Sequence, residues 1–172
     1  MTLSGIGQLR RYAPTGALLF EQRLTDADVV GCAQSGRDVL LSTERGRVAC
    51  IAMATGAAVW NVDLGGEPLG APLVVGEHVW QTLRTGLAKL DRKTGDRAAL
   101  SPTLAGEHVA AAVLFKNQFV VATATGPVVH CATTGTPRYR LEGSRRTRLI
   151  PSPDELWLVE PDHAVAAYRN LW

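Results

Sequence analysis

Three groups of side chains in this sequence have the chemistry to act on something else: three cysteines, four histidines and a run of arginines. Cys32, Cys50 and Cys131 are odd in number, show no CxxC spacing and have no histidine at ligand spacing, so they make neither a disulfide framework nor a zinc set. They are expected to be buried as small hydrophobes. His78, His108, His130 and His163 fall into no HExxH or other tight ligand pattern and are expected on surface loops. No acidic cluster suits a calcium ion, which needs six to eight oxygens. There is no GxSxG elbow and no GxxxxGK[ST] loop, and Gly5-Ile6-Gly7 is only a GxG without a preceding strand. The expectation is therefore no catalytic, cofactor-binding or metal-binding residue. The arginines are different. Arg138, Arg140, Arg145, Arg146 and Arg148 fall within eleven positions, and arginine is favoured where planar contacts to carboxylate or phosphate matter. They are the candidate contact residues for an acidic protein partner, against the alternatives of a solvated loop or a nucleic-acid backbone.

What must position these residues is a chain of 172 residues with 46% hydrophobic and 20% charged side chains, a one-domain length with enough apolar mass for a core. That composition argues against disorder. A net charge of +2 is too small for the basic face of a nucleic-acid binder. The opening residues, MTLSGIGQLRRY, lack the apolar stretch of a signal peptide, and no run is long enough to span a bilayer as a helix. The expected location is the cytoplasm, with no membrane contact.

Two markers keep one period along the chain. Thr-Gly pairs stand at Thr15-Gly16, Thr55-Gly56, Thr94-Gly95 and Thr134-Gly135, at intervals of 40, 39 and 40 residues. Glycines at Gly7, Gly46, Gly86 and Gly126 precede them at intervals of 39, 40 and 40. Within a period the pattern is all β. In residues 69–104, strands are expected at Ala71–Val75, His78–Leu83, Leu87–Leu90 and Arg97–Leu100, separated by turn residues. Neighbouring periods repeat the scheme, including an expected strand at Val109–Leu114. Four short strands per unit make one blade of a β-propeller. The expected organisation is a single β-propeller repeat domain over 1–172, with a partial blade at 1–24, blades at 28–64, 69–104 and 109–142, and a partial blade at 147–172.

The segment Gly46-Arg47-Val48-Ala49-Cys50-Ile51-Ala52-Met53-Ala54-Thr55-Gly56-Ala57-Ala58-Val59-Trp60 resembles the repeat of the PQQ-like (quinoprotein-type) β-propellers: glycine, alternating strand, Thr-Gly turn, then a tryptophan four residues after the glycine. Leu90-Asp91-Arg92-Lys93-Thr94-Gly95 is similar to the same unit with its usual aspartate, and Ala71 to Trp80 to its inner hairpin. The resemblance implies an aromatic that locks one blade against the next. Phe20, Trp60 and Tyr139 stand at that position, whereas the third repeat has Ala99, with Leu100 as the expected substitute. Members include dehydrogenases, outer-membrane assembly lipoproteins and interaction modules, but the features of a quinone enzyme, such as a vicinal Cys-Cys pair, are missing here.

A noncatalytic protein-protein interaction scaffold is the expected function. The alternatives are a ligand-sensing or quinone-related enzyme domain with a small molecule in the channel, and a structural half-ring that assembles into a larger propeller. The expected inner strands, Val29-Val30-Gly31-Cys32, Ala71-Pro72-Leu73-Val74, Ala110-Ala111-Ala112-Val113 and Leu149-Ile150-Pro151-Ser152, are small and apolar and offer few groups to orient a ligand. Seventeen strands are expected, one more than a closed four-bladed ring holds, so open edges joining two copies are also expected. If Trp60 locks two blades, Trp60→Ala should cost about 3–5 kcal/mol; denaturant melts showing a loss below about 1 kcal/mol would place it on the surface instead.

Overall fold

A computed structural model describes residues 2–3, 7–23, 27–102, 107–131, 133–144, 146–162 and 164–169. Among them the only regular elements are strands, eighteen in all, grouped into five antiparallel sheets. The first sheet holds β1 (Thr2–Leu3), β2 (Gln8–Tyr12) and β3 (Leu18–Arg23). Three four-stranded sheets follow: β4 (Val29–Ser35) to β7 (Ala58–Asp63), β8 (Leu73–Val75) to β11 (Arg97–Pro102), and β12 (Val113–Phe115) to β15 (Pro137–Arg140). In the second sheet the middle strands are β5 (Asp38–Thr43) and β6 (Arg47–Ala52); in the third, β9 (His78–Leu83) and β10 (Gly86–Asp91); in the fourth, β13 (Gln118–Thr123) and β14 (Gly126–Cys131). The fifth sheet holds β16 (Arg148–Pro151), β17 (Leu156–Val159) and β18 (Val165–Tyr168). The fold is all β, a propeller of about four blades.

The Thr-Gly pair is a turn with two working parts. Gly16, Gly56, Gly95 and Gly135 all have φ between 74° and 84°, a region that side chains resist. In the last three the threonine Oγ1 accepts the N–H two residues on: Ala57 at Thr55, Asp96 at Thr94 and Thr136 at Thr134, at 3.2, 3.2 and 3.3 Å. Asp91 adds a third part, its Oδ1 accepting from the N–H groups of Lys93 and Thr94 at 2.8 and 2.9 Å. A bulge recurs with the same period, between Arg11 and Tyr12, Cys50 and Ile51, Lys89 and Leu90, and Val129 and His130. Bulges strengthen local twist, so each outer strand pair is twisted alike.

The middle strands are buried on both faces. β5, β9 and β13 each read as five or six consecutive buried residues, so each sheet is covered by its neighbours. Leu40, Val48, Cys50 and Trp60 of the second sheet pack on Val79, Leu83, Ala88 and Leu90 of the third. Trp80 and Leu87 of the third pack on Phe119 and Val121 of the fourth. Val120 and Val129 pack on Leu156 and Leu158 of the fifth. Phe20 of the first packs on Leu41, Ala49 and Ile51 of the second.

Three expectations about strands are corrected. Thr2–Leu3 pairs with β2, adding an eighteenth strand. The first strands of the third and fourth sheets begin at Leu73 and Val113, later than the expected Ala71 and Val109. The backbone before them bonds to its own second strand only at an isolated bridge, Pro68 with Leu83 and His108 with Thr123, and between bridge and strand it also reaches the preceding sheet. Gly70 O accepts from Ser42 Oγ at 2.8 Å and from Gln81 Nε2 at 3.1 Å, and Ala112 N–H donates to Thr82 Oγ1 at 2.9 Å. The side chains of Ala99 and Leu100 lie outside the described residues.

These leading segments approach too closely for side chains. A Cβ on Gly31 would lie 2.3 Å from the backbone nitrogen of Ala71, and one on Gly70 would lie 2.9 Å from Ala111 Cβ. Gly31→Val is therefore expected to cost more than about 1–3 kcal/mol, because backbone has to move. Gly66→Ala, whose Cβ would meet the flexible end of Leu83 at 3.4 Å, should stay within about 0.5 kcal/mol. Urea unfolding of the two variants checks the contrast.

Candidate functional site

The arginine run is divided by the fold. Arg138 and Arg140 alternate with half-buried Pro137 and Tyr139 and lie exposed on one face of β15. Arg140 Nη1 donates to Thr125 O at 2.7 Å. Arg146 and Arg148 are exposed beside a depression of about 580 Å³ with Val159, Glu160 and Pro161. Arg145 lies outside the described residues. Glu160 is held in place by Ser144 and Thr147: Ser144 Oγ donates to Oε2 at 2.6 Å, and Thr147 Oγ1 donates to Oε1. These bonds hold the Glu160 carboxyl below the usual range, Ser144 contributing most. The two arginines beside it have no ion-pair partner among the described residues.

The aromatic positions all lie between sheets. Trp60 is 8% exposed; its indole rests on Gly95, where a Cβ would come within 2.7 Å, and its Nε1 donates to Arg92 O at 2.9 Å. Phe20 packs towards the second sheet and Tyr139 towards the fifth. The third repeat, which has Ala99 at that position, carries a different aromatic between its sheet and the next. Trp80 is fully buried between the third and fourth sheets, edge-on to Phe119 at 5.1 Å between centroids, with Lys89 Nζ 5.4 Å from its ring. It sits on a second strand, away from the repeat's aromatic position, and that is why spacing did not reveal it.

Two histidines share this interface, against the expectation of surface loops. His108 and His130 are both 0% exposed, with ring centroids 5.9 Å apart and planes at 88°. His108 Nδ1 meets Leu83 O at 2.9 Å and His130 Nδ1 meets Gly135 O at 3.0 Å. A carbonyl only accepts, so both Nδ1 atoms carry the proton and both Nε2 atoms are lone-pair acceptors. Neither Nε2 has a hydrogen-bond partner among the described residues. Burial pushes His108 down to about 4 and lowers His130 as well. A sequence signal did exist: Glu107-His108 is in register with Glu67-Pro68, 40 residues earlier, so His108 falls at a buried repeat position. His78 is half-buried on β9, and His163 lies outside the described residues.

The cysteines also divide. Cys50 is buried, its thiol pushed up to about 11 by burial. Cys32 is exposed and Cys131 half-exposed, correcting the expectation that all three are buried. Cys131 Sγ lies 3.1 Å from Thr133 Oγ1, and hydrogen bonds from Thr133 and then Thr134 lower its thiol to about 6. Among the described residues no histidine hydrogen-bonds it to act as a base. Among the described residues, no three His, Cys, Asp or Glu side chains converge as a metal site, and no helix is long and apolar enough to cross a membrane.

Five stacked antiparallel meanders, the first four carrying a Thr-Gly turn and a bulge at a period near 40 residues, define a PQQ-like β-propeller repeat protein. The family described as outer membrane protein assembly factor BamB matches residues 6–98, and the chain belongs to that family. Its fold is similar to BamB from Moraxella catarrhalis, with 19% identity and a TM-score of 0.75 over 97% of this chain and 53% of that one. It is also similar to the computationally designed Ika8 protein, with 17% identity and a TM-score of 0.79 over 97% of this chain and 54% of that one. The computationally designed Ika4 protein matches with 15% identity and a TM-score of 0.67 over 84% of this chain and 92% of that one. The chain thus spans about half the length of the first two. No curated protein matches it.

The histidine pair makes stability depend on pH. The unfolded chain takes up protons near the ordinary histidine value of 6.5, whereas folded His108 does so only near 4. Stability is full above about 6.5 and falls as pH drops towards 4, by up to about 3 kcal/mol. Asp91 and Glu160, both held below their ordinary values, lose their contribution only at lower pH. Urea melts between pH 7.5 and 4.5 should show this slope, and the double variant His108→Leu/His130→Leu should flatten it. An unchanged slope in the double variant would remove the pair as its cause.

Proposed function

We propose that the chain is a noncatalytic protein-interaction scaffold that holds an acidic partner on its basic surface. The observation that carries this reading is the placement of Arg146 and Arg148, exposed at the mouth of the 580 Å³ depression beside a carboxylate already occupied by Ser144 and Thr147. Arg138 and Arg140 extend positive charge along the outer strand of the adjoining sheet. The stacked sheets form a rigid base for such loops, a common arrangement for recognition. The relative's description as an assembly factor supports a protein partner. The leading segments of the sheets, Val29 to Cys32 and Ala71 to Val74 among them, are small and apolar and offer few groups to orient a ligand, which favours binding at the surface over chemistry in a channel.

Replacing Arg145, Arg146 and Arg148 with Ser should change stability by no more than about 0.5 kcal/mol, because exposed positions tolerate such changes. Binding of a fluorescent glutamate-rich peptide should weaken and lose much of its salt dependence. Peptide affinity unaffected by the triple substitution would remove this segment from the binding surface.

A further inference from the structure

Among the described residues, one face of the fifth sheet is largely apolar and uncovered. Arg148 pairs with Val159, Ile150 with Trp157, Val159 with Val165, and Trp157 with Ala167. Paired residues share a face, so Arg148, Ile150, Trp157, Val159, Val165 and Ala167 lie together. Ile150, Trp157 and Val165 are 51%, 38% and 54% exposed. The other face carries Leu156 and Leu158 and is buried on the fourth sheet. Ile150 opposite Trp157 matches Leu73 opposite Trp80 in the third sheet, a first-strand residue beside a second-strand tryptophan. In the third sheet the following sheet covers the pair and Trp80 is 1% exposed. The fifth sheet thus presents a surface of the kind that sheet stacking buries.

A face of the opposite sense is also open. Along β4, Val30, Cys32 and Gln34 are exposed while Gly31 and Ala33 are half-buried. Cys32 pairs with Leu41 and Gln34 with Val39, so this is the face on which Phe20 of the first sheet packs. Phe20 reaches Leu41, Ala49 and Ile51, and among the described residues nothing covers the outward side chains of β4.

We propose that these two faces meet between two copies of this chain. The fifth sheet of one copy seats on β4 of the other, and the reverse contact forms about a two-fold axis, so that two chains close one ring. Charge matches at the rim. Arg146 and Arg148 precede and open β16, and Asp28 and Glu44, both exposed, flank the corresponding end of the second sheet. Stacked sheets bring such ends together, as where His108 N–H, leading into the fourth sheet, donates to Arg84 O in the turn between β9 and β10. Each copy covers 53% and 54% of the larger propellers that its fold resembles. β18 and the partner's β2 are both third strands and compete for one place, and β17 competes likewise with the partner's two-residue β1, which it displaces. Val165, Ala166 and Ala167 of β18 are all exposed, so β18 is the strand that yields.

The inference deepens the scaffold reading by naming one partner, yet its test uses purified full-length protein alone. Self-association and binding of the glutamate-rich peptide can therefore fail independently. Sedimentation velocity at micromolar concentration should report a dimer. Trp157→Arg and Val30→Arg should each give monomers with unchanged β circular dichroism. Mixing the two should restore a dimer, since one intact fifth-sheet face then meets one intact β4 face. A charge exchange at exposed sites guards against misfolding: Arg146→Glu/Arg148→Glu should weaken the dimer at least tenfold, and Asp28→Lys/Glu44→Lys in the same chain should recover it. A monomeric parent chain overturns the proposal. So does Val30→Arg that remains dimeric, which would mean two fifth sheets pairing face to face, or a mixture that stays monomeric.

Discussion

A strand that is apolar on both faces cannot sit at the surface of a sheet, and this constraint governs the molecule. Val39, Leu40 and Leu41 are consecutive and at most 1% exposed, and so are Phe119, Val120 and Val121. Alternation would point every second one of them at water, so each sheet must have another sheet on either side. Stacking, and with it the propeller architecture, follows from the middle strands. The first and fourth strands of each unit are freer and carry the variation: arginines on β15, an exposed cysteine on β4.

Successive sheets are wedged apart at their outer strands and pressed together at their leading segments, and the side chains are graded accordingly. Glycine and alanine meet where Gly31 faces Ala71. Tryptophan lies on Gly95 further out. The interfaces do not all use the same filling. Between the second and third sheets it is Trp60; between the third and fourth it is Trp80 with Phe119, accompanied by the two histidines. That second solution contains polar atoms in a dry place. Each histidine satisfies one nitrogen with a carbonyl and leaves the other without a partner, a cost that core residues such as Leu90, at the matching position one repeat earlier, do not incur.

The repeat was legible because its markers are local. A Thr-Gly turn works through a hydroxyl and an N–H two residues apart and a backbone angle at one glycine, so it appears wherever the sequence has it. The bulge beside it depends on the same short stretch. What was not legible depends on the neighbouring sheet. Trp80 is buried because Phe119 stands across from it, a relation between residues 39 positions apart. Ala71-Pro72 and Ala110-Ala111-Ala112 resemble strands by composition, but Gly70 O and Ala112 N–H bond across to Ser42 and Thr82 of the preceding sheets. Cys32 resembles a core residue and is exposed because little of the preceding sheet covers β4. The arginines form one run in sequence and separate in space, since Arg138 and Arg140 belong to an outer strand and Arg146 and Arg148 to the start of the next sheet.

Within every sheet, hydrogen-bonded neighbours are also neighbours in sequence: β4 to β5 to β6 to β7, and likewise in the rest. No ladder waits for a distant segment to be synthesised. Each meander can therefore form its hydrogen bonds as soon as its own forty or so residues have emerged, and what it then lacks is cover for its faces, which the next meander supplies. Such a chain gains stability stepwise along its length, nearest neighbour by nearest neighbour. Hydrogen exchange should accordingly be slowest in β9, β10, β13 and β14, which are sandwiched on both sides, and fastest in the sheets at either end of the stack.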